Sequence, residues 1–216
     1  MQFGDSSSLG SAVIAPLLGF SVLAVALIFE RIIFWLRLVR RQNRLVRSFF
    51  DLYRRNPWSA FGQLKQNADL PIARIFLAAL ALENPTPEEF RLALESAAQA
   101  ELPLLKRFNT VFETIISVAP LLGLLGTILG LMDAFAGLKL GDVAQTDTTG
   151  VSAGIGAALT TTALGLIVAI GTLLFANMFR GLYLRQIALI HEYGGQLELL
   201  YRRYHEQTDG GPYASS

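Results

Sequence analysis

The chain has 216 residues, 52% of them hydrophobic and 16% charged, with a formal net charge of +1 and no cysteine. About a quarter of the residues of an ordinary soluble domain are charged, so this composition points to lipid, and the lack of cysteine excludes a disulfide framework and a thiolate metal site. The small net charge hides an asymmetry: of the 18 Lys and Arg, twelve lie between Arg37 and Arg107, four between Arg180 and Arg203, and only Arg31 and Lys139 elsewhere.

Residues 1–11 form a head that contains Asp5 and no basic residue. It lacks the positively charged n-region of a cleavable signal peptide, so residues 12–36 are expected to be a retained first transmembrane helix. Pro16 and Gly19 fall within it, and Phe34-Trp35 supply an aromatic interfacial anchor. The basic residues that follow place the 37–108 region and the 180–216 tail in the cytoplasm by the positive-inside rule, with the N-terminus and the 1–11 head on the periplasmic side. Topology beside anionic lipid also accounts for the cluster Arg37, Arg40, Arg41, Arg44 and Arg47 without nucleic acid.

A basic helix continues to about Tyr53, where Asn56-Pro57 breaks it. Residues 61–84 hold a short helical segment with Pro71 near its first turn and Ile72, Ile75, Phe76, Ala79 and Leu80 at helical spacing. The next start is marked by Thr86 as N-cap, Pro87 at the first helical position and Glu89 three residues after the cap. Phe90, Leu94, Ala97, Ala98, Leu102 (flanked by Glu101) and Leu105 then mark a packed face. Pro103 is expected to bend this helix, with helical patterning running on into a second transmembrane helix over 109–138. A short outer loop over 139–150 leads into a third over 151–179, and an amphipathic tail helix runs to about Tyr204 before Gly210-Gly211-Pro212 ends order. The predicted class is an all-α integral membrane protein of three transmembrane helices extended by cytoplasmic helices, with the C-terminus cytoplasmic.

Spans two and three are joined by a short loop and must be antiparallel neighbours. Thr127 lies 11 residues before Leu138 and Thr162 lies 11 residues after Val151. At 1.5 Å per residue both sit roughly 16 Å from the outer end, near the bilayer midplane. Gly123, Gly126, Thr127 and Gly130 share one face of span two; Gly154, Ala158, Thr161 or Thr162, Gly165 and Ala169 share one face of span three. Such faces let helices approach closely in lipid, and a packing seam is the plain reading of each. Three consecutive threonines at positions 160–162 exceed what close packing needs, so a polar group is expected to be accommodated there.

Intramembrane charges are few. Glu30 and Glu113 lie toward the inner ends of their spans, Asp133 lies near the outer end of span two, and span three has none. Glu113, which has Arg107 or a neighbouring subunit's base within reach as a partner, and Asp133 are the candidates for an ion path or its mouth; a solvated rim is the equal alternative for Glu113, and a solvated place beside the loop is the preferred reading of Asp133. A chain that conducts protons alone normally carries an acid or histidine at depth, so a titrating carboxylate is expected from another chain. His191 and His205 fall on the tail and read as solvent-exposed, and no span holds a histidine to serve as the base of an intramembrane serine protease.

Ala119-Pro120-Leu121-Leu122-Gly123-Leu124-Leu125-Gly126-Thr127 resembles the second-span signature of the ExbB/TolQ/MotA proton-channel family. Gly154-Ile155, Ala158-Leu159, Thr162-Ala163 and Gly165-Leu166 resemble its third-span signature, and three spans rather than four fit the ExbB and TolQ branches. The resemblance implies a multi-pass protein of the bacterial inner membrane, with no bound cofactor and with protons as the coupling ion. It further implies a homo-oligomer, a pentamer, around two single-span helices of the ExbD or TolR type, whose membrane aspartate is protonated and released beside Thr127 and Thr162, with Thr161 next to them. The expected role is a stator-type motor subunit, not an enzyme, that works with a TonB-like protein to energise outer-membrane transport; a TolQ-like envelope-maintenance role is the alternative. One departure stands out: the branch pattern Gly-Ile-X-Glu-Ala-Leu has its glutamate where this chain has Ala157, which opens the further reading of an inactive scaffold.

Overall fold

The computed structural model describes residues 6–136 and 148–209, all of its regular structure being helical. In chain order the helices are α1 (Ser6–Arg55), α2 (Pro57–Gln66), α3 (Pro71–Leu80), α4 (Pro87–Leu105), α5 (Asn109–Ala136) and α6 (Thr148–Asp209). Three stretches, carried by α1, α5 and α6, are long and apolar enough to cross a membrane. Most of the expected outer loop, residues 139–147 of 139–150, lies outside the described residues, as do 1–5 of the expected head and the expected Gly210-Gly211-Pro212 terminator.

The chain divides into two compact units. The membrane unit comprises Met1–Arg31 and Phe108–Phe179; the extramembrane unit comprises Ile32–Arg107 and Arg180–Ser216. In the membrane unit, Leu17 and Ala24 of α1 meet Ile115 and Ala119 of α5 and Ala169 of α6 in a small core, with Phe20, Val111 and Val168 against it. Large side chains such as Val22, Leu121, Leu166 and Ile170 point outward. That inversion of a soluble protein's pattern is what a hydrocarbon surround permits, since lipid tails are as apolar as leucine.

The extramembrane unit is built in the opposite way. Fully buried Phe49 of α1 meets Phe76 of α3 at 5.1 Å between ring centroids, and Phe90 of α4 stacks on Tyr201 of α6 at 4.1 Å. Gln186 of α6 donates to Gln42 of α1 at 2.6 Å with both side chains buried. Glu101, on the buried face of α4, receives the Arg74 guanidinium of α3 through two bonds of 2.6 and 2.5 Å. Leu102 is half-buried on that side, as the sequence places it; the structure also buries Glu101 there with Phe90, Leu94 and Leu105, because a forked ion pair satisfies the carboxylate.

Two boundaries differ from expectation. The single segment over 61–84 is two helices, because Asn56 caps α2 through the Ser59 N–H (3.2 Å) and the chain turns again at Asn67–Leu70 before Pro71 starts α3. Pro103 is accommodated inside α4, and the helix does not run on into span two: Lys106 closes α4 on the Leu102 carbonyl at 3.1 Å. Phe108 then takes a φ of 69°, a conformation rare for a bulky residue, and its carbonyl accepts the Phe112 N–H at 3.0 Å to open α5. The Arg31 guanidinium lies 5.2 Å over the Phe108 ring and holds it there. The Thr86 capping box has the expected form: the Glu89 N–H donates to the Thr86 hydroxyl at 3.2 Å and the Thr86 N–H to the Glu89 carboxylate at 2.8 Å.

Candidate functional site

Within the membrane unit, α5 and α6 meet along the two small-residue faces. A Cβ added to Gly123 would stand 2.9 Å from the Thr162 Cα, one on Gly130 would stand 2.8 Å from the Ala158 Cβ, and one on Gly165 would stand 2.6 Å from the Ala119 carbonyl oxygen. Backbone therefore touches backbone, and only a residue without a side chain fits at Gly123 and Gly165.

This closeness organises the hydroxyls. The Thr162 hydroxyl donates across the seam to the Gly123 carbonyl at 2.8 Å; that of Thr161 reaches the same oxygen at 3.3 Å and its own Ala158 carbonyl at 2.7 Å. The Thr127 hydroxyl donates to the Leu124 carbonyl at 2.6 Å, and its oxygen lies 3.4 Å from that of Thr162. Thr127 and Thr162, which the sequence puts at one depth, are thus neighbours. Of the three consecutive threonines only Thr162 lines the cavity beside this pair: Thr161 fills the seam opposite Gly126, and the exposed Thr160 bonds the Gly156 carbonyl at 2.9 Å.

The cavity has a volume of about 460 Å³ and is walled mainly by leucine, with Leu124, Leu131, Leu159 and Leu166 around Thr127 and Thr162. None of the described residues that line it is charged. Each hydroxyl has one proton, and both protons are aimed at backbone carbonyls, so the oxygen lone pairs remain to face a visitor. The remaining candidates lie apart. Glu113 is exposed in the second turn of α5, Asp133 is half-buried toward its other end, and neither lines the cavity; Ala157 is exposed beside it while its neighbour Ala158 forms part of the wall.

The Gly123 carbonyl is the group that sequence reasoning overlooked. Gly123 reads as a packing residue, yet its oxygen is the shared acceptor for two threonines. The signal was available in the missing side chain, which leaves a helix carbonyl open to a neighbouring helix.

Residues 67–192 match the MotA/TolQ/ExbB proton channel family, and so take in α3, α4, α5 and α6 as far as Glu192. The chain belongs to this family. Among its relatives, the protein named ExbB-like 3 of Synechocystis sp. is 64% identical over 207 residues, which is 96% of this chain and 99% of the relative. ExbB-like 1 of the same organism is 40% identical over 89% of this chain and 76% of its own length. The biopolymer transport protein ExbB of Salmonella typhimurium is 39% identical over 93 residues, 42% of this chain and 35% of that protein. The match to the proton channel family spans both threonine-bearing helices and the whole glycine seam, so the contacts that shape the cavity lie in the part of the chain that defines the family.

Proposed function

We propose that this chain is the channel subunit of a proton-motive-force-driven motor in the bacterial inner membrane, of the ExbB-ExbD type, and that it energises TonB-dependent transport across the outer membrane. The carrying observation is the pairing of the Thr127 and Thr162 hydroxyls, 3.4 Å apart, on the wall of a cavity whose described lining residues are uncharged. A ring of such subunits, five by the family resemblance, presents these alcohols to an aspartate on a single-span ExbD- or TolR-like partner. The protonated acid donates to the hydroxyl lone pairs; once it loses the proton, a threonine swings its O–H from the backbone carbonyl to the carboxylate. No fixed charge traps the acid in either state. Protons are the coupling ion, no cofactor is bound, and the chain is a transducer, not an enzyme.

The basic residues between Arg37 and Arg107 support a cytoplasmic position for the extramembrane unit, with the N-terminus outside. The names of the Synechocystis and Salmonella relatives favour the ExbB role over a TolQ-like role in envelope maintenance. A second reading, an inactive scaffold, is favoured by Ala157 at the branch's glutamate position.

Partner-dependent proton flux into vesicles tests the motor. Thr162→Val, which keeps shape and removes the hydroxyl, abolishes flux while native mass spectrometry still counts five copies; undiminished flux in that variant ends the pore role of Thr162. Ala157 is exposed and accepts a larger side chain, so Ala157→Glu decides the second reading: flux present only in that variant makes the natural chain a scaffold.

A further inference from the structure

The extramembrane unit carries a knob and a hole that its own fold does not use. The knob is Trp58, 86% exposed at the start of α2. A tryptophan this uncovered in water is a typical anchor of a protein interface. Exposed Arg54 and Arg55 precede it, and with Asp51 and Lys65 the stretch from 51 to 65 has a net charge of +2.

The hole is a cavity of about 490 Å³ between α3, α4 and α6, roomy enough for an indole ring. Its floor is apolar, with Ile75, Leu94 and Ile190 beside Gly194 and Gly195. Two glycines in succession weaken the interior of α6, and a Cβ at either would meet nothing within 4 Å, so no contact inside the protomer requires them. Their absent side chains hold the hole open. The charged residues that line it, Arg91, Glu95 and Glu198, leave one negative charge in excess, opposite in sign to the knob.

Knob and hole also lie at one height. Gln42 of α1 bonds Gln186 of α6, and Phe50 packs near Tyr193, so the two helices advance in step. Continuing that register from Phe50 to Arg55 brings the end of α1, and the start of α2 with it, level with about Glu198 at the edge of the cavity. A knob on one element and a complementary hole on others make a head-to-tail contact, and such contacts close into a ring when both lie at the same level along the ring axis.

We propose that Trp58 of one copy of this chain inserts into the α3/α4/α6 cavity of the next copy and links the extramembrane units into a ring. This rests on the oligomeric ring of the proposed function and names the contact that seals it. The chain has no cysteine, so introduced ones report cleanly. One copy carrying Ser59→Cys, beside the intact Trp58, and a differently tagged copy carrying Ser96→Cys, at the lining of the cavity, are co-expressed in membranes and oxidised. The expected result is a disulfide-linked dimer at least ten-fold more abundant than with Arg40→Cys in place of Ser96→Cys, and a ladder ending at five when both changes are on one chain. Gly195→Leu fills the hole without touching the fold, so it should cut the cross-link at least ten-fold at unchanged thermal unfolding. Five copies by native mass with no Ser59→Cys cross-link overturn this contact and leave the ring standing. Monomers in the native spectrum overturn both. Cross-linking of Ser96→Cys to Tyr213→Cys of the same chain in preference to Ser59→Cys of the next copy assigns the hole to the chain's own end and likewise overturns the proposal.

Discussion

The membrane unit and the extramembrane unit solve the same problem, holding helices together, with opposite materials. In the membrane unit glycines meet the backbone or the small side chains of the facing helix, and threonine hydroxyls bond a carbonyl between helices. In the extramembrane unit the contacts are packed aromatic rings, a buried glutamine pair and a forked ion pair. The solvent decides which works. Water rewards burial of a phenylalanine, whereas lipid offers a leucine as good a place outside as inside and leaves only fit and hydrogen bonding to bind helices.

Each unit should therefore fail under a different kind of substitution. The largest effect is expected from Phe49→Ala, which empties a site with no exposure at all. Its cost is about 3–5 kcal/mol, read as lost hydrogen-exchange protection in α1 beyond Ile32 and in α3, with the α5 and α6 amides of the membrane unit unchanged. Loss of protection in both units alike would make the division into two units wrong.

Gly165→Ala comes next. It drives a methyl into the Ala119 carbonyl and should cost about 1–3 kcal/mol, the usual range for overpacking, in detergent unfolding of the membrane unit. Gly171→Ala, where a Cβ meets nothing within 4 Å, is the control and should cost nothing. Equal losses at the two positions would mean that glycine serves backbone flexibility here and not close approach.

The smallest effect is acid fraying at the start of α4. The Thr86 N–H, and then the Thr86 hydroxyl, hold the Glu89 carboxyl below its usual range. A carboxyl depressed on folding stabilises the cap above its unfolded value, and that stabilisation is lost as pH falls through the lower folded value. Protection factors at Glu89 and Phe90, taken relative to intrinsic exchange at each pH, should fall on acidification through that interval, and Glu89→Gln should remove the dependence.

The contrast between the units also explains which features were readable in advance. The spans, the Thr86 capping box and the shared depth of Thr127 and Thr162 follow from length, local hydrogen bonding and helical rise, quantities that depend on neighbours in sequence. Glu101 was overlooked because burial of a carboxylate hinges on Arg74, twenty-seven residues away. The break at 106–108 was missed for a similar reason: no glycine marks it, and Phe108 is held in its unusual conformation by Arg31.

By itself the sequence determined that the chain crosses a membrane, that it does so by helices, and that small residues and alcohols share the faces of two of them, because hydropathy and periodicity are properties of a single helix. Only the tertiary structure decided that Thr162 and not Thr160 meets Thr127, that the Gly123 carbonyl binds two hydroxyls, and that Gly194 and Gly195 open a hole where Gly165 closes a seam. Those outcomes depend on the rotation and separation of packed helices, which are set by every contact along their length and by no one residue within it.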